Sequence, residues 1–209
     1  MIKGEAWLDT ALMQEVARES QNQHVALADK KTALLLYDLA SRENINNILE
    51  IGTGLGYATL TMAAAQKSKG SGCITSIELV CGRYHRACEY VYRAGFGDFV
   101  ELLFGDAKKL IKELSGPWDL LFFDAAMGQY GFFADTLLPY LNPKGYLVAD
   151  NINFYKPKTG QTILRRHRTM EKRLKEFKAS LLTKPGLKLA EYAFGEGLLV
   201  IEKKEEKND

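Results

Sequence analysis

The sequence predicts an α/β domain built on a mostly parallel, doubly wound sheet. Two observations carry this. Short apolar runs alternate five times with segments of helical period, which is the pattern of successive β-α units joined by right-handed crossovers. The residues that close those runs are glycines, acids and amides: 50–56, Glu78, Gly105-Asp106, Asp124 and Asp150-Asn151. In such sheets a ligand sits beyond the carboxyl ends of the strands, where the strand order reverses, so chemistry is expected at these positions.

The elements follow in order. Residues 9–20 and 25–42 read as two helices. In the second, Leu27, Leu34, Leu35 and Leu39 recur at helical spacing, and Asp29 stands near its start. Residues 45–51 form a strand, followed by the glycine turn 52–56 and a helix to about residue 67. Strand 73–78 leads into a helix over 82–94, and strand 99–104 into a short helix over 107–114. Strand 118–124 contains Leu-Leu-Phe-Phe, as a strand buried on both faces should. A helix covers 132–141. The turn Asn142-Pro143-Lys144-Gly145 then precedes a strand over 146–150. A basic helix spans roughly 160–179, and strands near 188–193 and 197–202 close the chain as an antiparallel pair. The whole reads as one domain over 1–209: a helical extension (1–44), the sheet-bearing core (45–203) and a charged, frayed tail (204–209).

Composition excludes several classes. The chain has 209 residues, 46% hydrophobic and 26% charged, ordinary values for a globular protein that folds without staples. No apolar run reaches the ~18 residues of a membrane span, and the N-terminus lacks the apolar stretch of a leader. No membrane partner is expected. Three cysteines without a C-x-x-C point to a reducing, cytoplasmic setting and no structural zinc; they read as buried apolar residues. The net charge of +2 is unevenly spread. Of 28 Lys and Arg, nine fall in 156–178, leaving 19; of 26 Asp and Glu, two do, leaving 24. That segment is a solvated helix face or a phosphate-facing patch.

The loop after the first strand is Glu50-Ile-Gly52-Thr-Gly54-Leu-Gly56-Tyr57. It departs from the dinucleotide fingerprint G-x-G-x-x-G. Glu50 places negative charge near the ligand, poor for a pyrophosphate and good for an amine or sulfonium. Glu78 ends the second strand, where a carboxylate can accept from both ribose hydroxyls. Asp106, with Ala107, ends the third, where it can accept from an exocyclic adenine amine. Together they suit S-adenosylmethionine, against the plainer reading of turn glycines and helix caps. Asp124, Asp150 and Asn151 fall at neighbouring strand ends. They form an oxygen-only set suited to Mg²⁺ or another hard divalent cation, or else they are caps and a turn residue. No His or Cys joins them.

The run 50–57 with Asp124 and Asp150-Asn151 resembles the class I, metal-dependent O-methyltransferases of the catechol and caffeoyl-CoA type, over about residues 14–203. Their Rossmann-like fold carries seven strands. The chain is most similar to the bacterial branch that methylates 5-hydroxyuridine at the wobble position of tRNA. The marks are His24-Val25, residues 123–130 followed by Phe132-Phe133, residues 150–156, Arg165-Arg166-His167-Arg168 and Gly195-Glu196-Gly197-Leu198. The resemblance implies that Gly52 lies under the methionine part of the cofactor and Glu78 on the ribose. Asp106 and Ala107 meet the adenine, while Asp124, Asp150 and Asn151 hold the metal, Asp124 also close to the cofactor. Glu50 and Gly54 belong to the same cofactor loop. It also implies a homodimer.

Two departures stand out. Met127 occupies the position where relatives commonly carry a Lys that serves as general base. Ala58 stands where relatives offer a Ser hydroxyl to the cofactor carboxylate, and Thr59 is the neighbouring candidate for that task. The segment Phe154-Tyr155-Lys156-Pro157-Lys158 directly follows the metal-site residues. With Arg165, Arg166 and Arg168 it forms the candidate tRNA contact, aromatics stacking on bases and cations meeting phosphate. His24 and His167 are weaker catalytic candidates, and His85 reads as an ordinary helix-surface residue. The expected function is Mg²⁺-dependent methylation of 5-hydroxyuridine in tRNA. A catechol-like diol is the alternative substrate, and a non-catalytic S-adenosylmethionine- and RNA-binding module the third reading.

Overall fold

The computed structural model describes residues 3–153 and 165–205. Lys156 and Lys158, with Phe154 and Tyr155, lie outside the described residues. Seven strands form one sheet: β1 (Asn47–Ile51), β2 (Cys73–Glu78), β3 (Val100–Phe104), β4 (Trp118–Phe123), β5 (Leu141–Ala149), β6 (Leu187–Tyr192) and β7 (Leu198–Lys203). Their order is β3-β2-β1-β4-β5-β7-β6. Strands β1 to β5 pair in parallel, and β7 joins both β5 and β6 antiparallel. The order reverses between β1 and β4, which places the crevice there.

Helices cover both faces: α1 (Lys3–Leu8), α2 (Ala11–Asn22), α3 (Lys30–Ala40), α4 (Tyr57–Lys69), α5 (Cys81–Arg93), α6 (Ala107–Leu110), α7 (Tyr130–Leu137) and α8 (Arg165–Leu182). Two apolar cores result, one on each side. Ile48, Leu120, Phe122 and Val148 point to the side of α3 and α4; Leu49, Leu121, Phe123 and Leu147 point to the side of α7 and α8. That alternation is the period-two pleat of strands buried on both faces. Strand β4 has all six residues buried, as its Leu-Leu-Phe-Phe run predicts.

Several boundaries move for physical reasons. The predicted helix 25–42 begins only at Lys30, because Asp29 is its N-cap and accepts from Lys31 N at 2.9 Å. Residues 25–29 are non-helical, entered through His24 at φ 52°. Leu27 therefore lies outside the helix whose spacing it shares. The turn 142–145 lies inside β5 as an irregularity between Trp118 and Leu120 of the facing strand, so β5 starts at Leu141 instead of residue 146. The basic helix begins no earlier than Arg165 among the described residues. Cys73 and Cys81 are exposed and Cys88 half-buried, contrary to the buried positions expected. Cys73 opens β2 and Cys81 opens α5, ends that the core does not reach. No helix among the described residues is long and apolar enough to cross a membrane.

The N-terminal helices bury Leu8, Met13 and Val16 in the core and are also paired to α5 by charge. Arg86 on α5 donates to Glu19 on α2 through Nε at 2.8 Å and Nη2 at 2.6 Å, and Tyr90 Oη also donates to Glu19. Arg93 pairs with both oxygens of Glu15 at 2.7 and 2.6 Å. Bidentate guanidinium–carboxylate pairs fix orientation as well as distance.

Candidate active site

The glycine turn exists because β1 must hand the chain to α4 while passing beneath the end of β4. Gly52 sits at φ 103°, and a Cβ there would come within 2.3 Å of the Asp124 carbonyl oxygen. Only glycine meets both conditions. Gly54 (φ 57°) and Gly56 (φ 94°) complete the turn. The ladder continues across it: Gly52 N donates to Ile77 O at 3.0 Å, Asp124 N to Ile51 O at 2.9 Å, and Asp150 N to Phe123 O at 2.9 Å. The ends of β1, β2, β4 and β5 are thereby held in one plane.

A cavity of about 340 Å³ opens over these ends, enough for one small cofactor. Of the residues singled out in the sequence, Gly52, Gly54, Ala58, Glu78, Asp106, Ala107 and Asp124 line it. Glu78 Oε2 accepts from Gly54 N and Oε1 from Val80 N, both at 2.8 Å, so the carboxylate is aimed by the backbone. Asp106 caps α6 through Lys108 N at 2.9 Å and leaves its other oxygen without a bond among the described residues.

Glu50 and Thr59 are placed differently. Neither lines the cavity. Glu50 is fully buried below the turn, where its Oε2 accepts from Ser76 Oγ at 2.6 Å and from Thr59 Oγ1. Thr59 thus spends its hydroxyl on Glu50 and does not offer it to a ligand in the cavity, which corrects the expectation that it replaces a serine there. Glu50 Oε1 has no partner among the described residues. Burial pushes its carboxyl up to about 7, with Ser76 and Thr59 opposing the rise and the charge of Glu78 adding to it.

Asp124, Asp150 and Asn151 do come together at the end of β4 and β5. Asn151 Nδ2 donates to Asp124 Oδ1 at 3.0 Å, and Asn151 N to Asp150 Oδ1 at 2.8 Å. Asn151 adopts φ 59°, a conformation amides tolerate better than most side chains. Burial, then the charges of Asp150 and Glu50, hold the Asp124 carboxyl well above its ordinary range, and Asn151 opposes this. Burial pushes Asp150 up to about 6, with a contribution from the charge of Asp29. No group of three or more His, Cys, Asp or Glu gathers among the described residues, so any cation here would rely on two carboxylates and one amide.

Sequence reasoning missed several participants. Val25, Ala26, Leu27 and Ala28 form one wall, and Tyr57, Arg83, Gln129 and Phe133 also line the cavity. The signal for the first group was Asp29, whose capping preference starts the helix after it and leaves the preceding residues outside. Tyr130 closes the run 123–130. Fully buried, it donates to Phe123 O at 3.0 Å and Asp150 O at 3.1 Å, clamping the two strand ends that carry the acids. Met127 begins a short 3₁₀ turn and packs partly against the core. His24 and His85 are exposed and outside the cavity. Arg165, Arg166 and His167 lie at the start of α8, and Arg168 is exposed on it.

Comparison with known proteins agrees with this geometry. The profile of a methyltransferase domain family matches residues 49–152, the span from β1 to the acids after β5. The tapetum-specific methyltransferase 1 of Arabidopsis thaliana is 27% identical, over 79% of this chain and 73% of that protein. A catechol O-methyltransferase of Niastella koreensis is 32% identical over 54% of this chain and 52% of that protein. Among solved structures, an O-methyltransferase from Bacillus cereus in complex with S-adenosylhomocysteine superposes with a TM-score of 0.80. It is 21% identical, over 94% of this chain and 92% of that one. A methyltransferase of Podospora anserina, bound to the same product, gives 0.83 at 20% identity, over 94% and 89%. Those two likenesses establish the fold.

Proposed function

We propose that this chain is a class I, S-adenosylmethionine-dependent O-methyltransferase, as its match to a methyltransferase domain and its likeness to a catechol O-methyltransferase support, and that it methylates the 5-hydroxyl of 5-hydroxyuridine in tRNA, with Mg²⁺ held by Asp124, Asp150 and Asn151. The observation that carries the RNA part is the seating of α8. Arg173 Nη1 lies 3.2 Å from where a Cβ of Gly128 would stand, one residue from Gln129 of the cavity wall. The basic helix thus runs beside the cavity mouth, where a phosphate backbone would pass.

The residues divide the work. Glu78, already aimed by two backbone N–H groups, has lone pairs left for the two ribose hydroxyls. Asp106, with one oxygen unbonded among the described residues, would accept from the adenine amine. Glu50 contributes negative charge from beneath the turn, which favours the sulfonium and amine of the cofactor. Asp124 and Asp150 fit a hard cation: their carboxyls are raised by burial and, at Asp124, by mutual repulsion, and a positive ion relieves both. Asn151 would turn its amide to present Oδ1. Mg²⁺ there would supply charge that lowers the pKa of a substrate hydroxyl. Met127 accepts no proton, so the hydroxyl must ionise readily by itself, as one on an electron-poor pyrimidine does. Transfer is then a displacement in which the substrate oxygen attacks the methyl carbon and the sulfur leaves as the neutral thioether. Such a step depends chiefly on alignment. The homodimer that the resemblance implies belongs to the same reading, and light scattering tests it.

The test is methyl transfer from labelled S-adenosylmethionine to tRNA containing 5-hydroxyuridine, with Mg²⁺ and with EDTA. Label in 5-methoxyuridine only with the metal is the expected result. No transfer, on a sample that binds the cofactor, overturns the substrate. A second reading, a catechol-like diol, is favoured by the Niastella koreensis relative. Transfer to catechol but not to tRNA would establish it.

A further inference from the structure

Beside the adenine end of the cavity stands an aromatic ring held between two cations. Phe132 is 37% exposed. Lys108 Nζ lies 5.4 Å and Lys112 Nζ 5.9 Å from its centroid. Neither lysine makes an ion pair among the described residues, and both are exposed. The ring is not isolated from the site. Its centroid is 5.9 Å from that of Phe133, and Phe133 and Ala107 line the cavity. On the other side the chain passes through the 3₁₀ turn to Gly128, against which the exposed Arg173 of α8 lies.

A single exposed ring is ordinary, but two ammonium groups without ion-pair partners among the described residues gain only modest cation–π attraction by standing over one in water. The combination has a purpose when the occupant is both flat and anionic. A nucleotide is both: its base stacks on a ring while its phosphates meet the cations.

We propose that Phe132, flanked by Lys108 and Lys112, is a stacking platform for an unpaired nucleotide of the RNA substrate, outside the catalytic cavity and continuous with Arg173. This deepens the tRNA reading and rests on it. The platform would hold a nucleotide neighbouring the one that enters the cavity. It would thereby set the register of a single-stranded loop; a rigid duplex cannot lay one base on the ring while another reaches the acids.

The test uses the full-length chain and fluorescence anisotropy with a labelled 12-nucleotide oligouridylate, over a salt series. Phe132→Ala is expected to weaken binding about tenfold, and Phe132→Tyr, which keeps the ring, to retain it. The double change Lys108→Gln, Lys112→Gln is expected to reduce the slope of log K against log salt by about 1.4. Circular dichroism and titration with S-adenosylmethionine check that each variant is folded. Equal loss in Phe132→Ala and Phe132→Tyr, or unchanged affinity in both, overturns the platform. So does competition by polyphosphate that is as effective against wild type as against Phe132→Ala, since that would mean charge alone. Methyl transfer is read separately. Platform-dependent oligouridylate binding without transfer to 5-hydroxyuridine tRNA would overturn the substrate and leave the platform standing. Transfer to that tRNA with platform variants unaffected would do the reverse.

Discussion

Replacing Glu50 by Gln should change how the protein's stability depends on pH. Glu50 has no exposed surface, two hydroxyl donors on Oε2 and no partner on Oε1. Its carboxyl is raised by burial from 4.5 to about 7. Between those values the folded chain holds a proton there that the unfolded chain releases. The stabilisation is therefore fully present below pH 4.5 and is lost as pH rises through 7. Each pH unit between the two values is worth about 1.4 kcal/mol, so the ionised group costs the fold about 3 kcal/mol. Gln has no charge to bury, and its amide oxygen can still accept from Ser76 and Thr59. The stability difference between Glu50→Gln and wild type should shift in the variant's favour by about 2–3 kcal/mol from pH 5 to pH 8. Urea unfolding at four pH values, without ligand and with equal m-values, measures this. A difference that stays constant with pH would refute the claim that burial raises the Glu50 carboxyl in the folded chain. The functional counterpart is that S-adenosylmethionine should bind wild type more tightly as pH rises through 7, and the variant without that trend.

Further outcomes are expected at the other site residues. Gly52→Ala should lose several kcal/mol and cofactor binding together, because its Cβ would meet a backbone oxygen at 2.3 Å; thermal unfolding and cofactor titration read both. Asp150→Ala should abolish metal-dependent transfer and any rise in Tm on adding Mg²⁺, and unchanged turnover would remove the metal assignment. Tyr130→Phe strips two hydrogen bonds from the ends of β4 and β5 and should cost about 1–2 kcal/mol, with kcat falling more than cofactor affinity. Arg86→Ala should leave the sheet intact but speed limited proteolysis within α2, whose carboxylate Glu19 it holds.

Local chemistry made much of the site legible. Glycines at 52, 54 and 56 and acids at 78, 106, 124 and 150 are short-range signals. A residue that must turn at positive φ or stand at a strand end carries that requirement in its own identity and that of its neighbours. The β-α alternation is equally local, because strand and helix periods are written in consecutive residues. Boundaries were less legible where two signals competed. At residues 25–29 leucine periodicity argued for helix and Asp29 for a cap, and the cap prevailed because an N-cap side chain satisfies an otherwise bare N–H. At 142–145 turn residues marked an irregularity within β5 and not its beginning, since pairing with β4 continues on either side.

Local residue patterns were enough for the doubly wound sheet, the glycine turn and the acids at its strand ends. Which side of the turn each polar group faces depended on long-range packing. Glu50 and Thr59 each stand one residue from a lining position, Ile51 and Ala58, yet they bond to each other below the loop, because Ser76 on the adjacent strand β2 completes a buried network there. Nor could sequence spacing bring Tyr130 onto Phe123 and Asp150, Val25 over Gly54, or Lys108 and Lys112 onto Phe132. Those meetings depend on strand order and helix docking, which are set by packing the two apolar faces of the whole sheet and by no single segment of the chain.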